Sequence, residues 1–266
     1  MESNHNRRLL AAFLSCLVIY LFHLGPLPGV AENRYIDQAR SIVDDGRLDI
    51  DRYHYNTVDK ALSNGHFYPT ATPGMPVLAT PVYLGAKLLF RFVPLTMFRQ
   101  YDVAQYLQNV VGGEAVPDEF IATYPFVEFL LLHLLFTAVF CSTFSAVIMI
   151  MVDRGLGTLT PQCSANHRLF IMGVYAFGTL MFFYATRFFA HAPSTIFLFG
   201  SFLLLVSIKQ EKRTDGWILV AGLANALSVL MDYIALPAAV AVGLYGLWVI
   251  PKPKVWRFIL GNGIPL

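Results

Sequence analysis

Charged residues are scarce in this chain of 266 residues. Asp, Glu, Lys and Arg make up 14% of it and hydrophobic residues 56%, whereas soluble domains carry about 25% charged residues. Several apolar runs approach the length of about 20 residues that crosses the hydrocarbon core of a bilayer. The shortage of charge therefore argues against an ordinary soluble domain and predicts an integral membrane protein.

Cysteine is rare as well. Cys16, Cys141 and Cys163 show neither a C-x-x-C pattern nor a His/Cys metal spacing, so neither a disulfide framework nor a zinc site is predicted. Cys16 and Cys141 lie in apolar runs, where we expect them to pack as small hydrophobic residues. A long basic block is absent, which argues against nucleic acid as a partner.

The N-terminal apolar run is predicted to be the first transmembrane helix. Arg7 and Arg8 precede the run Leu9–Leu24, which is long for a signal peptide and is not followed by a small-x-small cleavage site. We expect the basic end to lie in the cytoplasm. Gly25 and Pro26 then end the helix.

A polar insert follows the first helix and is predicted to be extracytoplasmic over residues 26–123. Within it, Asn33–Asp45 has helical spacing, with its apolar residues on one side, Asp37 largely on another, and Gly46 as the expected stop. This pattern predicts a short helix in the membrane interface. We expect Gly65–Gly74 to be a loop.

The segment Met75–Met97 is apolar but contains prolines, Lys87 and Arg91. Charge inside a bilayer is costly, so a re-entrant or in-plane segment is as compatible with it as a crossing. Lys and Arg in short loops mark the cytoplasmic side, and counting back from those loops places Arg99–Thr123 outside. Both sides of the segment are then extracytoplasmic, and Met75–Met97 is predicted not to cross.

The predicted fold class is all-α integral membrane, as one polytopic domain over 1–266 with about six transmembrane helices and interfacial helices in the insert. The first helix covers 9–24, the others lie within 124–250, and 251–266 is a cytoplasmic tail or the start of a truncated helix. Both termini are predicted to be cytoplasmic. The five later spans are Tyr124–Val152, Leu169–Thr186, Pro193–Ile208, Trp217–Met231 and Ile234–Ile250.

Several motifs of the chain match one family of membrane enzymes in order and spacing. In the insert they are Asn33–Tyr35, Gly46–Tyr53, Asn56–Ala61, Gly65–Tyr68 and Pro73–Gly74; further along they are Gly178–His191 and Ala221–Tyr233. Together they resemble GT-C type glycosyltransferases that use a polyprenyl-phosphate-linked sugar, such as the protein-mannosyltransferase and aminoarabinose-transferase branches. The resemblance covers most of the chain.

The resemblance implies transfer of a sugar from a polyprenyl-phosphate donor to a lipid, glycan or protein on the extracytoplasmic face of a bacterial inner or plasma membrane. Ala71 stands where the family has Lys, and the chain ends before the family's later helices, so we expect a C-terminally truncated form. The alternatives are a non-catalytic truncated relative that acts as a membrane scaffold and, less favoured, a small-molecule transporter. A transporter would be expected to show inverted repeats.

Such a transfer needs a base for the acceptor hydroxyl and cations for the departing phosphate. The resemblance places the base at Glu32, just after the first transmembrane helix, with Asp37 as the second candidate. The alternative is that both are solvated charges on an interfacial helix.

Further residues are candidates for substrate binding. Arg34 and Arg52 match phosphate geometry, although basic residues near a bilayer often contact lipid head groups. For several others a structural role is the alternative: a local ion pair and turn at Asp59-Lys60, a backbone hydrogen bond at His191, and a helix cap at Asp232. The complete set is Arg34, Arg52, Asp59, Lys60, His66, Tyr68, Arg187, His191 and Asp232.

Apart from the sugar donor, no cofactor is assigned. A divalent metal is compatible with the resemblance, although no spacing demands one. The expected partners are membrane lipids and the polyprenyl-phosphate sugar, and the oligomeric state is left open.

Overall fold

The computed structural model describes residues 2–92, 103–110 and 115–265, and these are mostly helical. They form two compact units. Unit 1 contains Met1–His23, Ala138–Thr186 and Ala190–Leu266, and unit 2 contains Leu24–Thr137 and Arg187–Phe189.

In chain order, the helices of the described residues are α1 (Glu2–Phe22), α2 (Val30–Asp44), α3 (Gly74–Phe90), α4 (Val103–Val110), α5 (Asp118–Thr123), α6 (Phe126–Phe136), α7 (Thr143–Leu159), α8 (Ala165–Gly178), α9 (Met181–Ala185), α10 (His191–Lys209), α11 (Gly216–Met231), α12 (Leu236–Val249) and α13 (Val255–Gly263). A π-helical segment, Thr137–Ser142, joins α6 to α7, and 3-10 turns lie at His54–Asn56, Tyr233–Ala235 and Lys252–Lys254. Two short strands, β1 (Lys60–Ser63) and β2 (His66–Pro69), form an antiparallel hairpin.

Three helical stretches are long and apolar enough to cross a membrane: His5–Phe22, Phe126–Leu159 and His191–Lys209. They correspond to three of the predicted spans. The helices Gly74–Phe90, Gly216–Met231 and Tyr233–Val249 are apolar but shorter. The count of six crossings stays a prediction.

The predicted span Leu169–Thr186 is wrong as a single helix, because α8 ends at Gly178 and α9 begins at Met181. Thr179 has extended backbone angles and separates the two helices. Its hydroxyl donates to the carbonyl oxygen of Tyr175 at 2.8 Å and accepts the N–H of Met181 at 3.1 Å. One threonine therefore ends one helix and begins the next.

The predicted helix of the insert is confirmed, although α2 begins three residues earlier than expected. Gly46 follows the end of α2 with φ +66°, a backbone conformation that favours glycine. This agrees with its predicted role as the residue that stops the helix. The predicted loop Gly65–Gly74 is wrong at His66–Pro69, which form β2. Asn64 and Gly65 have φ values of +51° and +83°, and Asn-Gly is the typical sequence of a tight hairpin turn.

Within the insert, the apolar segment forms α3, which packs on α2 in unit 2. Lys87 Nζ lies 2.6 Å from Asp44 Oδ1, and the Tyr83 hydroxyl donates to Asp44 Oδ2 at 2.8 Å. Lys87, one of the two charges that made this segment an awkward span, is thus paired within the insert. Residues 93–97 of the segment, and 99–102 and 111–114 of the predicted polar loop Arg99–Thr123, lie outside the described residues.

The burial expected for Cys16 and Cys141 is confirmed. Both thiols lie in unit 1, and Cys16 belongs to the apolar core that joins α1, α7, α8 and α9. Cys163 is partly exposed in the turn between α7 and α8. All three thiols are free.

Helices α11 and α13 of unit 1 approach closely at two glycines. A Cβ atom added to Gly222 would overlap the carbonyl oxygen of Phe258, and one added to Gly261 would overlap that of Leu219. Small residues at such crossings let backbones of apolar helices meet. Gly222 lies in the Ala221–Tyr233 motif, so this part of the motif has a packing role.

We predict that Gly222→Ala lowers the thermal stability of the detergent-solubilised chain, because its methyl group meets backbone that cannot rotate away. Overpacking of this kind costs about 1–3 kcal/mol. The matched control is Gly173→Ala in α8, where an added Cβ has no atom within 4 Å. The control should melt at or above the wild-type temperature, and equal melting of Gly222→Ala and wild type would contradict the packing.

Candidate functional site

Glu32 lies in the first turn of α2, directly after the first apolar helix and its Gly-Pro break. One carboxylate oxygen, Oε2, accepts the N–H of Gly29 and so caps the helix. The other, Oε1, is 3.8 Å from Arg187 Nη1 and has no hydrogen-bond partner among the described residues. Glu32 is only 3% exposed, so the alternative of a solvated charge is wrong.

Burial raises the pKa of Glu32, against the opposing effects of the Gly29 N–H, the Arg187 charge and the Phe188 N–H. A carboxyl group with a raised pKa and one oxygen beside a cation suits general acid–base chemistry. The same side chain also caps the helix, through its other oxygen, Oε2.

Arg187 is held in place by backbone as well as by Glu32. Its Nη1 donates to the carbonyl oxygen of Leu27 at 2.8 Å. The guanidinium lies over Gly25, where an added Cβ would overlap it. His133, which was not among the predicted site residues, has its Nε2 3.0 Å from the carbonyl oxygen of Gly25. Only the absent side chain at Gly25 leaves room for this arrangement.

Asp37 is completely buried, again contrary to the alternative of a solvated charge. Both of its carboxylate oxygens accept hydrogen bonds from the Asn56 side-chain amide, at 3.0 and 3.1 Å. Burial raises the pKa of Asp37 to about 8, against the lowering effects of Asn56 and Arg40. Asp37 therefore holds α2 to the 3-10 turn that contains Asn56.

Asn56 is the centre of a buried polar network that was not predicted from the sequence. Its Oδ1 accepts the Tyr124 hydroxyl at 2.7 Å, and its carbonyl oxygen accepts Asn33 Nδ2 at 2.7 Å. Tyr106 joins the network through Asn33. Both asparagines stand in the matched motifs, which was the available signal.

Arg40 is a second buried charge that the sequence pattern did not reveal. It is 6% exposed, and its guanidinium lies 4.4 Å from the ring centre of Tyr53. Its Nε and Nη1 have no hydrogen-bond partner among the residues that the structure describes. Its positive charge lowers the pKa of Asp37, against the larger effect of burial.

Arg34, Asp59 and Lys60 hold the start of the hairpin to its surroundings. Arg34 forms an ion pair with Asp59, and both contact the Thr70 hydroxyl. Lys60 Nζ donates to the carbonyl oxygen of His54 at 2.8 Å. The expected contact of these groups with the donor phosphate or the sugar hydroxyls would have to replace interactions already made within the insert.

Arg52 and Tyr68 lie on more accessible parts of unit 2. The side chain of Arg52 is 64% exposed, and its Nη1 lies 3.3 Å from Asp45 Oδ1. Tyr68 is partly buried in β2 and pairs with Ala61 of β1. Of the candidate guanidinium groups, that of Arg52 is the most exposed to ligands.

The described residues contain one cluster that could hold a metal ion: Asp49, Asp51 and His66, whose ligand atoms lie within 4.8 Å of one another. The Asp51–His66 contact is 2.6 Å. Arg47 already lies among them, with Nε 2.7 Å from Asp49 and Nη2 3.5 Å from Asp51. A cation would therefore have to displace the guanidinium.

His191 and Asp232 form a pair of their own in unit 1. His191 begins α10, and its Nδ1 lies 2.6 Å from Asp232 Oδ2. Asp232 Oδ1 accepts the N–H of Ile234 at 3.1 Å and caps the 3-10 turn after α11. The cap expected as the alternative for Asp232 is thus present, together with a contact to the second candidate residue. The ring of Tyr184 packs 4.2 Å from that of His191.

No protein-family model, curated protein or solved structure matches the chain. The resemblance to GT-C glycosyltransferases rests on the motifs of this sequence.

We predict that Asp37 makes the stability of the chain fall as pH rises from about 4 to about 8. In this window the folded chain keeps a proton at Asp37 that an unfolded Asp, with a pKa of about 3.9, has lost. Asp37→Asn should remove this contribution, which is at most about 1.4 kcal/mol per pH unit. The thermal midpoint in detergent, measured across the window, tests it.

The control for this prediction is Asp118→Asn, which alters an exposed carboxylate in α5. It should keep the wild-type slope of midpoint against pH. Identical slopes in wild type, Asp37→Asn and the control would contradict the raised pKa of Asp37.

Proposed function

We propose that the chain is an integral membrane glycosyltransferase that moves a sugar from a polyprenyl-phosphate donor to a lipid, glycan or protein acceptor. The matched sequence motifs support the class of reaction. The observation that carries the proposal is the buried Glu32, whose Oε1 faces Arg187 at the point where the first apolar helix gives way to the polar insert. A base at that position can meet a lipid-linked donor at the membrane surface.

In the proposed step, the Glu32 carboxylate takes the proton of the acceptor hydroxyl. The acceptor oxygen forms a bond to the anomeric carbon of the sugar as the bond from that carbon to the phosphate oxygen breaks. The electron pair of the broken bond leaves with the polyprenyl phosphate. Arg187 lowers the pKa of Glu32, and its guanidinium is suited to the charge that develops on the phosphate.

Asp37 is assigned a positioning role in this proposal. At neutral pH its raised pKa favours the protonated form, and both of its oxygens are engaged by Asn56. A protonated carboxyl group with both oxygens held by Asn56 is a poor base, whereas Glu32 Oε1 has no hydrogen-bond partner among the described residues. Arg52, with its exposed guanidinium, is the proposed contact for the lipid phosphate or head groups.

The proposal includes an arrangement in the membrane. The three long apolar helices are joined by Gly216–Met231, by Tyr233–Val249 and by the interrupted pair α8–α9 to give about six crossings, while Gly74–Phe90 does not cross. The insert then lies on the extracytoplasmic face and both termini in the cytoplasm. The basic loops after α10 and α12 support this orientation.

The first test is sugar transfer from a panel of radiolabelled polyprenyl-phosphate sugars in membranes that contain the chain. Glu32→Gln should lower the rate by roughly 10²–10⁴-fold, the usual contribution of a general base. Glu119→Gln, an exposed carboxylate of α5, is the matched control and should keep wild-type activity. Transfer that survives Glu32→Gln removes Glu32 from the reaction, and no transfer by the folded wild type favours the non-catalytic alternative.

The pH dependence of transfer tests the contact between Glu32 and Arg187. Activity should rise with pH as Glu32 loses its proton, and Arg187→Gln should move this rise to higher pH because the guanidinium lowers the Glu32 pKa. Gly25→Ala, which displaces the guanidinium without removing it, should shift the profile in the same direction. Superimposable profiles of the three proteins would contradict the contact, and Arg187→Lys should shift the profile least.

A further inference from the structure

The chain contains three tryptophans, and all of them lie beside basic residues in unit 1. The cation-to-ring distances are 4.3 Å for Lys209 and Trp248, 4.7 Å for Arg213 and Trp217, and 5.4 Å for Arg257 and Trp256. Tryptophan and basic side chains together are typical of the interface between hydrocarbon and water. We call residues 209–217 and 248–257 the basic belt.

The two segments of the belt are joined to each other. Lys254 Nζ lies 2.8 Å from Asp215 Oδ1, and Arg257 Nη1 lies 3.8 Å from Asp215 Oδ2. The belt holds six basic and two acidic residues, which gives a net charge of +4. Lys212 and Lys252 are exposed and form no ion pair with any residue that the structure describes. Positive charge therefore remains after the internal pairs are made.

The belt lies at the ends of apolar helices. The candidate span His191–Lys209 ends at its first residue, and the apolar helix Tyr233–Val249 ends within its second segment. Basic residues next to a membrane surface are attracted to anionic lipids by about 1 kcal/mol each.

An apolar groove lies between α11, α12 and α13 and has a cavity of about 410 Å³. Its lining includes Leu244, Leu247 and Ile259, which are all exposed. Leu247 directly precedes Trp248, and Ile259 follows Arg257 by two residues, so the groove adjoins the belt. Its wall is mostly apolar, although Asn225 and Asn262 also line it, and the belt at its end carries net positive charge.

We propose that the belt and the groove form one binding site for an anionic phospholipid. The phosphate and any further negative charge of the head group would lie at Lys212 and Lys252, and an acyl chain would lie in the groove along Leu244 and Leu247. The net charge of the belt selects an anionic over a zwitterionic head group. The site does not depend on the chemistry proposed at Glu32.

The native tryptophans can report the occupancy of this site. The full chain is reconstituted in phosphatidylcholine vesicles that contain a minor fraction of acyl-brominated phosphatidylglycerol or, in parallel, of acyl-brominated phosphatidylcholine. Brominated phosphatidylglycerol should quench tryptophan fluorescence more strongly at the same fraction. Equal quenching by the two lipids would overturn the proposal.

Paired variants locate the head group. Lys212→Gln/Lys252→Gln should reduce the preference for phosphatidylglycerol by roughly 10- to 30-fold, at about fivefold per lysine. Arg7→Gln/Arg8→Gln removes the same charge from exposed positions of α1 and should keep the preference. Equal losses in both double variants would show a general surface attraction and overturn the site.

A third variant tests the groove. Gly243 lines it and has room for a Cβ, since the nearest atom, Asn225 Nδ2, would be 3.8 Å away. Gly243→Leu should fill the groove and reduce quenching by brominated phosphatidylglycerol while leaving the charge unchanged. If Gly243→Leu has both the melting temperature and the quenching of the wild type, the groove is not part of the site. Thermal melting of every variant shows whether it is folded.

Discussion

The paired hydrogen bonds between Asp37 and Asn56 are the interaction on which the polar insert depends. They join the middle of α2 to the turn before the hairpin, and Asn56 extends the connection to Asn33 and Tyr124. A carboxyl group that is buried as completely as Asp37 would strongly destabilise the fold if it had no hydrogen-bond partner. The network thus fixes the first turns of α2, including the position of Glu32, by polar contacts within unit 2.

Glu32 illustrates how a helix end acts on the protonation of a buried carboxyl group. The free N–H groups of the first turn attract negative charge, while burial opposes it. Arg187 also lowers the pKa of Glu32. It can do so because residues Arg187–Phe189 belong to unit 2, although the segments on either side of them belong to unit 1. The protonation state of one side chain is therefore set jointly by local helix geometry and by a residue distant in sequence.

The fold could be predicted from the sequence where the signal is local or compositional. Apolar length indicated the helices, helical spacing indicated α2, and Gly46 marked its end. Prediction failed where one residue changes the backbone path, as at Thr179, or where a hairpin turn was treated as a loop, as at Asn64-Gly65.

Within the candidate site, residue types were identified better than their environments. Helical spacing suggested that Asp37 faced solvent, but α2 is enclosed by the turn and by α3, so its polar side is buried as well. Partners such as Arg187 for Glu32 and Asp232 for His191 stand far apart in sequence. The spacing of apolar residues along one helix does not indicate which residues from distant parts of the sequence it contacts.

The burial of the cysteines has a practical consequence for work on membrane sidedness. Cys16 and Cys141 are enclosed, while Cys163 is partly accessible in the turn between α7 and α8. A thiol reagent that cannot cross a bilayer therefore meets one favoured target in the unaltered protein. The side of the membrane from which that reagent reacts would assign the α7–α8 turn to a compartment without any engineered residue.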